Sequence, residues 1–547
     1  MILKNKRRLT NLLCTEKSID LQCAMLGCIV FISIYGTKII NPTFISWTLR
    51  GDAATHFLGW NFFRFEPWSF PLGAIKSYIY PQGTSVVFTD SIPLAAIILK
   101  LFSSLLPKNF QYHGMWILLN YLLQCFFGAK LLRQTVDKTF LIFIGVLFLL
   151  ISPIMTFKTA QQESLSSHWL IISSLYLYLS RPKSIKTRLN TWIFLVVISS
   201  LIHFYLLSMV VAVWIAYLFR MLLDGFSKLT LMLTVIKTSI ITLIFMWIAG
   251  YFIIGLGASY SPGFGLCSMN ILSPFFPDSA FPFTFFKPIT LANKMQHGGF
   301  NYFGAGVVLM LIMATYDLVS RKFIFNKSKY IPLIVVSIFL YMFSISNVIT
   351  CANNVLTNIM LPKQIERIFG IWHASGRMFW PIYYLLIVSS YGIICRRNAT
   401  SISILIVTIL LIIQIVDLRS WYSSIKIQNN LNLFTTPLSS PKWKKITEKI
   451  NHIEIIPPNR DGDYYVPFAL IASQLKKTIN VGYVARIDNN MPKLYNKEID
   501  DFTHGIYKKN TLYIIRNANL LTNHIVVAHK EEHFGMIDGY ITMTVSK

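Results

Sequence analysis

The sequence has few charged residues, and acidic residues are the scarcest of them. Only 13% of its 547 residues are charged, whereas a soluble domain carries about 25%. Asp and Glu number 23 against 50 Lys and Arg, which gives a net charge of +27. Hydrophobic residues make up 54% of the chain, and apolar runs of membrane-helix length recur along it. The composition excludes an ordinary soluble protein and predicts a polytopic α-helical membrane protein.

Several motifs of soluble enzymes and nucleic-acid binders are missing. The absence of a Walker A motif argues against a nucleotide-sugar donor, and no zinc-finger or basic-region motif points to nucleic acid. The seven cysteines show neither CxxC spacing nor a metal-binding pattern. Cys267 and Cys351 fall in segments that we place outside the membrane, so they could pair in a disulfide. The excess positive charge lies in short loops and in the tail, which makes membrane lipids and lipid phosphates the expected partners.

The basic residues of the short loops predict the topology, because such residues gather on the cytoplasmic side. With a cytoplasmic N-terminus, the basic short loops all lie on the cytoplasmic side if the apolar stretch 92–106 does not cross the membrane. That stretch contains Pro93 and Lys100, and we expect it to lie at the interface. If it crossed, the count would be twelve. The first span is too long for a signal peptide, so we expect it to be retained. The eleven predicted spans are 20–40, 112–132, 139–156, 163–180, 190–205, 206–222, 229–257, 302–320, 330–347, 380–395 and 401–417.

Eleven spans divide the chain into two domains. Residues 1–420 form the transmembrane module, and residues 421–547 form a soluble α/β domain on the outer, periplasmic side. Segments 41–111, 258–301 and 348–379 also face outward and are rich in aromatic residues, Gly and Pro. Since the cytoplasmic loops are short and plain, the outer face is the working face. Tail strands are predicted at 452–456, 479–486, 511–515, 524–528 and 540–545, with a helix at 467–477.

Asp52 stands near the start of the first outer segment, after Arg50 and Gly51. A carboxylate there could act as general base toward a sugar hydroxyl, or it could cap a helix, since Asp is a good N-cap. His56 lies one helical turn later on the same face. It is either a substrate ligand or an interfacial polar residue.

Further ionisable residues are predicted near the outer surface. Glu163 and His168 open the fourth span, where an ionisable residue is a functional candidate by default, although a polar helix start explains them equally well. His203 lies in a tight outer turn, where a structural role is the simpler interpretation. Arg377 precedes the tenth span and could either hold a lipid phosphate with its forked guanidinium or anchor the chain to headgroups.

The order of these features resembles the GT-C superfamily of polytopic glycosyltransferases. Within it, the chain resembles the bacterial branch with a C-terminal outer domain, which includes the O-antigen-modifying glucosyltransferases of serotype-conversion clusters. The segments that carry the resemblance are 50–52 with His56, 59–60, 64–67, 163–169, 268–270, 299–302, 375–381 and, in the tail, 464–469.

The resemblance implies inverting transfer of a sugar, typically glucose, from a polyprenyl-phosphate donor. The acceptor would be lipid-linked O-antigen or another cell-envelope glycan at the periplasmic face of the bacterial inner membrane. Asp52 would be the base, and a flippase and a polyprenyl-phosphate-sugar synthase would be functional partners. Many relatives carry two adjacent acidic residues, but Ala53 follows Asp52. Whether Glu66 or Glu163 assists, and whether a divalent metal is used, therefore stay open. The substrate-binding candidates are His56, Arg64, Glu66, Glu163, His168, His203 and Arg377.

Two other functions remain open at this point. An O-antigen polymerase or ligase also acts on lipid-linked sugars at the outer face, but the folded tail and the acidic first segment argue against it. A transporter or flippase of lipid-linked sugar usually shows inverted repeats and broken midplane helices. The sequence shows no such repeat, and its polar candidates gather at one face.

Overall fold

Helices dominate the part of the chain that the structure, a computed structural model, describes. The described residues are 16–159, 162–182, 184–255, 264–279, 282–320, 326–432, 434–460, 462–520 and 534–545. The α-helices are α1 (Glu16–Tyr35), α2 (Gly51–Phe65), α3 (Pro93–Lys100), α4 (His113–Leu132), α5 (Thr139–Leu150), α6 (Pro153–Thr159), α7 (Trp169–Leu179), α8 (Ile185–Ser200), α9 (Phe204–Leu223), α10 (Lys228–Ala249), α11 (Ala305–Ser320), α12 (Lys327–Ile345), α13 (Lys363–Phe369), α14 (Trp380–Arg397), α15 (Thr400–Asn430), α16 (Lys442–Lys449), α17 (Val466–Gln474) and α18 (Met491–Thr503). The strands are β1 (Ala74–Ile75), β2 (Thr84–Ser85), β3 (Val348–Cys351), β4 (Asn354–Asn358), β5 (His452–Ile456), β6 (Thr478–Ile479), β7 (Thr511–Ile515), β8 (Phe534–Ile537) and β9 (Tyr540–Val545).

Six helices of the described ranges are long and apolar enough to cross a membrane. They make the chain a helical membrane protein. The pair α5 and α6, bent by 47° where Pro153 starts a new helix, gives a seventh span if it is counted as one. The six are His113–Leu132, Phe204–Leu223, Lys228–Ala249, Lys327–Ile345, Ser375–Arg397 and Thr400–Asn430.

Each of the eleven predicted spans overlaps a helix, but several of these helices are short. Helix α7 has only 11 residues, because the residues before it wind as the 3-10 turn Glu163–Ser166. Helices α8 and α11 have 16 residues each. The number of eleven spans therefore stays a prediction. Helix α3, within the stretch expected to lie at the interface, has 8 residues and is too short to cross.

The chain forms two compact units that do not follow the order of the sequence. The bundle unit consists of Met1–Asn41, Tyr112–Thr242 and Ser261–Asn430. The loop–tail unit consists of Pro42–Gln111, Leu243–Tyr260 and Leu431–Lys547. The first outer segment and the tail thus fold together, although more than three hundred residues separate them in the sequence.

A buried carboxylate organises the second outer segment within the bundle unit. Asp417 on α15 is fully buried. It accepts hydrogen bonds from the Tyr302 hydroxyl at 2.7 Å and from the backbone N–H groups of Ala305 and Phe285, both at 3.0 Å. Because each of these donors belongs to residues 284–305, one side chain fixes the end of that segment and the start of α11.

The tail folds around a five-stranded sheet with the order β6-β5-β7-β9-β8. Strands β6, β5 and β7 run parallel, and β9 pairs antiparallel with both β7 and β8. Helices α17 and α18 are the crossovers that parallel neighbours require. All five residues of β5 and of β7 are buried, as expected for strands covered on both faces.

The predicted strands at 452–456, 511–515 and 540–545 are present as β5, β7 and β9. The strand predicted at 524–528 lies outside the described residues, and β8 and α18 were not predicted. The prediction of a strand over 479–486 was wrong, because only Thr478–Ile479 joins the sheet. The following residues turn to the first outer segment instead, where the Ala485 N–H donates to the Phe88 carbonyl at 2.8 Å.

A buried polar cluster lies beside the parallel strands. The Lys508 ammonium lies 2.9 Å from Glu454 Oε2 and 3.3 Å from Glu498 Oε1. Asn480 Nδ2 donates to Glu498 Oε2 at 3.0 Å. Burial raises the pKa of Glu498 from 4.5 to about 7, and the Glu454 carboxylate adds to this, while Lys508 and Asn480 oppose it.

We expect this cluster to make the stability of the tail depend on pH. Since the folded-state pKa of Glu498 is raised, the folded chain holds the proton more tightly, and stability falls as pH rises from about 4.5 to 7. Between pH 5 and 8, the wild type should lose on the order of 2 kcal/mol. Glu498→Gln should remove most of this slope. Limited proteolysis of the full chain in increasing urea measures it, with exposed Glu448→Gln as control; an unchanged slope in Glu498→Gln would contradict the assignment.

Candidate active site

The start of α2 holds Asp52 in the loop–tail unit. Gly51, the first residue of the helix, has a φ of +50°, which glycine adopts without strain. Its N–H donates to Asp463 Oδ1 at 3.1 Å, so the tail holds the start of the helix. The cap position is Arg50, and the interpretation of Asp52 as the cap residue is therefore wrong. Asp52 lies in the first turn, half-buried, where the helix dipole favours negative charge.

A second carboxylate, Asp90, belongs to the same neighbourhood and was missed in the sequence. It has a φ of +52°, and Ile92 follows with a φ of +51°, a strained conformation for a β-branched residue. Between them, Ser91 Oγ donates to the His56 carbonyl at 2.7 Å. This bond ties the strained segment to α2 one turn after Asp52, and strain of this kind is typical of functional sites.

The negative charges of both carboxylates affect the pKa of Tyr483 in the tail. Burial raises the pKa of its hydroxyl, the negative charges of Asp52 and Asp90 raise it further, and the Arg460 guanidinium lowers it. All three charged side chains therefore act on the phenol. The loop–tail unit therefore places two carboxylates and one guanidinium, from three stretches of the chain, where their charges act on one tyrosine.

Two residues of the first outer segment that were predicted to bind substrate, Arg64 and Glu66, bind backbone groups of that same segment. Buried Arg64 donates from Nη1 to the Pro107 carbonyl at 3.0 Å and from Nη2 to the Ser103 carbonyl at 3.3 Å, and burial lowers its pKa to about 10. Glu66 accepts from the N–H groups of Lys76 and Ser77, at 2.9 and 2.6 Å. Arg64 and Glu66 thus position the segment. His56 is buried on α2.

The bundle unit contains a second site, in which two cations converge on one amide oxygen. Gln162 Oε1 accepts from Arg377 Nη2 at 3.0 Å and from Lys158 Nζ at 3.4 Å. The Arg377 guanidinium lies over the Tyr205 ring, 4.9 Å from its centroid. Burial raises the pKa of the Cys267 thiol, and the charges of Arg377 and Lys158 lower it, so both cations also lie near Cys267. Such a concentration of positive charge favours an anion.

The backbone around Arg377 is tightly packed. A Cβ on Gly376 would lie 2.5 Å from the Gly299 Cα and 2.9 Å from the Met269 nitrogen, so only glycine fits. Asn301 Nδ2 donates to the carbonyls of Gly299 and Gly376, each at 2.9 Å. Two of the outer segments are thereby locked together directly before Arg377.

The three remaining candidates lie in the bundle unit, and one of them supports Arg377. His203 caps α9 by accepting the Tyr205 N–H at 3.1 Å, and so helps to place the ring under the guanidinium. His168 is fully buried, and its Nδ1 is 2.8 Å from the Tyr384 hydroxyl. Glu163 is also fully buried, in the turn that follows Gln162. These positions make His203 a positioning residue and place His168 and Glu163 inside the unit.

The described ranges show no group of three or more His, Cys, Asp or Glu side chains placed to hold a metal ion.

Cys267 and Cys351 are both free thiols, so the disulfide considered from the sequence does not form. Instead, Cys267 Sγ lies 3.3 Å from His373 Nε2.

Lys158 was not predicted, although the sequence contains a signal for it. It is the single lysine of the bent pair α5 and α6, and only 3% of it is exposed. An ionisable residue within an apolar run is a functional candidate by default. Asp90 gave no such signal, because its environment depends on the fold of the tail.

Comparisons with solved structures give distant similarities. ArnT from Cupriavidus metallidurans in the apo state is 10% identical, with a TM-score of 0.48, over 96% of this chain and 97% of that chain. The archaeal oligosaccharyltransferase AglB from Archaeoglobus fulgidus, in complex with an inhibitory peptide and a dolichol-phosphate, is 12% identical, with a TM-score of 0.43, over 91% and 70%. Similarities this distant do not assign an activity. No curated protein matches the sequence.

Two family models match the chain. The model described as "Domain of unknown function (DUF6311)" matches residues 24–419, and the model described as "DUF6311 C-terminal domain" matches residues 442–545. The first match covers most of the chain, and the second covers the tail with its five-stranded sheet. The protein therefore belongs to the DUF6311 family and carries that family's C-terminal domain.

Proposed function

We propose that the protein is a membrane glycosyltransferase of the GT-C type. It transfers a sugar, in our proposal glucose, from a polyprenyl-phosphate donor to lipid-linked O-antigen or another cell-envelope glycan. The observation that carries the proposal is the convergence of Lys158 and Arg377 on Gln162. Two cations at one point, in a protein whose long helices suit a membrane, match the phosphate of a lipid-borne donor.

Arg377 and Lys158 bind the donor phosphate and stabilise it as it leaves. The guanidinium can form two parallel hydrogen bonds to phosphate oxygens, whereas the ammonium supplies a point charge. When the bond between the anomeric carbon and the phosphate oxygen breaks, its electron pair stays on the phosphate. Preorganised cations aimed at the charge that develops in the transition state are the largest source of rate in such reactions.

Asp52 accepts the proton of the acceptor hydroxyl. The acceptor oxygen then forms a bond to the anomeric carbon while the phosphate leaves from the opposite face, so one displacement inverts the configuration. Asp90, which acts on the same tyrosine as Asp52, is the second acid of this neighbourhood.

The working face is periplasmic in this proposal, and the protein lies in the bacterial inner membrane with a cytoplasmic N-terminus. The compact loop–tail unit supports this, because it joins the segment after the first span, the end of α10 and the tail. In this proposal the parts of the loop–tail unit outside the predicted spans lie on one side of the membrane, so an even number of crossings must separate them. Ten predicted spans lie between the first outer segment and the tail, and six between that segment and the end of α10.

An assay with defined donors tests the proposal. Proteoliposomes with the full chain receive polyprenyl-phosphate glucose, radiolabelled in the sugar, and lipid-linked O-antigen from cells that lack the protein. We expect label in the glycan and an equal amount of released polyprenyl phosphate. Label that crosses the bilayer without transfer would indicate a transporter, and transfer of preassembled polysaccharide alone would indicate a ligase or polymerase. In cells, a synthase and a flippase must supply the donor at the outer face.

A further inference from the structure

Residues 478–486 of the tail close over the first outer segment within the loop–tail unit. The Ile479 N–H donates to the Ser77 carbonyl at 3.0 Å, and the Tyr80 N–H donates to the Ile479 carbonyl at 2.8 Å. Further along, the Ala485 N–H donates to the Phe88 carbonyl at 2.8 Å. Tyr483 is therefore held between two anchored points, and the second anchor lies two residues from Asp90.

The packing of this stretch leaves one side chain facing outward. Val481 and Val484 are buried, and a Cβ on Gly482 would come within 2.2 Å of the Tyr78 ring, so the backbone presses directly on that ring. Tyr483, in contrast, is 45% exposed. An exposed aromatic ring on a stretch this firmly anchored is presented in a fixed position, at little entropic cost to a ligand.

The charges around the ring select the kind of ligand. Asp52, Asp90 and Arg460 all act on the Tyr483 phenol, and the exposed Asp463 lies at the start of α2. The apolar C–H face of a pyranose can stack on the Tyr483 ring. Carboxylates accept hydrogen bonds from the sugar hydroxyls, and a guanidinium donates to the hydroxyl oxygens. Ligand sites commonly combine aromatic side chains with a few polar groups in this way. Of the charged groups that act on the phenol, two are carboxylates and one is a guanidinium, so an anionic sugar is repelled at the ring.

We propose that Tyr483 forms the stacking surface of the acceptor-sugar subsite and that this subsite selects a neutral pyranose over an acidic one. The inference rests on the proposed function, since it supplies the acceptor that Asp52 deprotonates. Tyr483 binds the apolar face of the sugar. The tail thereby contributes a part of substrate recognition that the first outer segment lacks.

Kinetics of the full chain in proteoliposomes test the subsite, with polyprenyl-phosphate glucose and lipid-linked O-antigen of neutral sugars as substrates. We expect Tyr483→Ala to raise the KM for the lipid-linked O-antigen at least tenfold while the KM for the donor stays within twofold. Tyr483→Phe keeps the ring and should stay within threefold of the wild type for both substrates. Tyr316→Ala, which removes another exposed tyrosine from α11, is the control and should change neither value.

A binding measurement separates failure of the subsite from failure of the proposed function. Delipidated O-polysaccharide of neutral sugars is passed over the immobilised full chain, alongside a polymer rich in uronic acids. At least tenfold weaker binding in Tyr483→Ala, with Tyr483→Phe near the wild type and the uronic polymer binding weakly, supports the subsite even if transfer fails. Equal binding of the neutral polymer by all variants, or an unchanged acceptor KM in Tyr483→Ala, would overturn it while the transferase could still stand.

Discussion

Asp52→Asn is expected to lower sugar transfer by between about 100-fold and 10,000-fold, the range over which positioned general bases act. Asparagine keeps the size of the side chain but cannot accept the proton of the acceptor hydroxyl. The Gly51 N–H would still bond Asp463, so the start of α2 should keep its geometry. Initial rates of transfer from polyprenyl-phosphate glucose, compared at equal amounts of membrane-inserted protein, measure the effect.

Two controls separate proton transfer from a change in local charge. Asp90→Asn removes a carboxylate from the same neighbourhood without removing the proposed base, and it should cost less than Asp52→Asn. Asp500→Asn removes an exposed carboxylate from α18 and should leave the rate unchanged. A rate for Asp52→Asn within threefold of the wild type would show that Asp52 is not the base.

Arg377→Ala is expected to lower kcat by roughly 100-fold to 1,000-fold, as the loss of one preorganised donor at a developing charge does. The KM for the donor should also rise, because the guanidinium binds the phosphate before it leaves. Arg377→Lys should recover only part of the loss, since an ammonium is a point charge and cannot form the forked contact. Steady-state kinetics with varied donor concentration separate kcat from KM.

Arg397→Lys is the matched control for the arginine prediction. Arg397 lies at the opposite end of α14, and its replacement should leave both constants within twofold of the wild type. Lys158→Gln removes the second cation that contacts Gln162 and should weaken donor binding in the same direction as Arg377→Ala. If Arg377→Ala kept the wild-type kcat and KM, the bundle unit would not hold the donor phosphate.

The apolar helices and the central tail strands could be predicted because their signals are local. Buried parallel strands such as β5 and β7 form short apolar runs, and membrane helices form long ones. The stretch 479–486 carried a strand-like pattern too, but its partner is the first outer segment, hundreds of residues away. Pattern alone does not choose between two partners for the same extended backbone, and the prediction therefore failed there.

The candidate site was predicted only in part, for a related reason. Asp52 and Arg377 stand beside helix starts, where spacing in the sequence indicates a surface position. Arg64 and Glu66 looked equally suitable, yet they bind backbone groups of their own segment, which depends on how that segment folds. Asp90 and Tyr483 come together only through the tail. Residue type and spacing therefore found the charges, and the tertiary fold decided which of them are committed to the scaffold.

The most direct test of the proposed function is a comparison of lipopolysaccharide sugar composition and linkage in cells. One strain carries the wild-type chain, one carries Asp52→Asn and one carries neither, and all contain the polyprenyl-phosphate-glucose synthase. The proposed function predicts an added side-branch sugar with the wild type alone. Identical composition and linkage in all three strains, with the wild-type chain verified in the membrane, would contradict glucose transfer to this glycan.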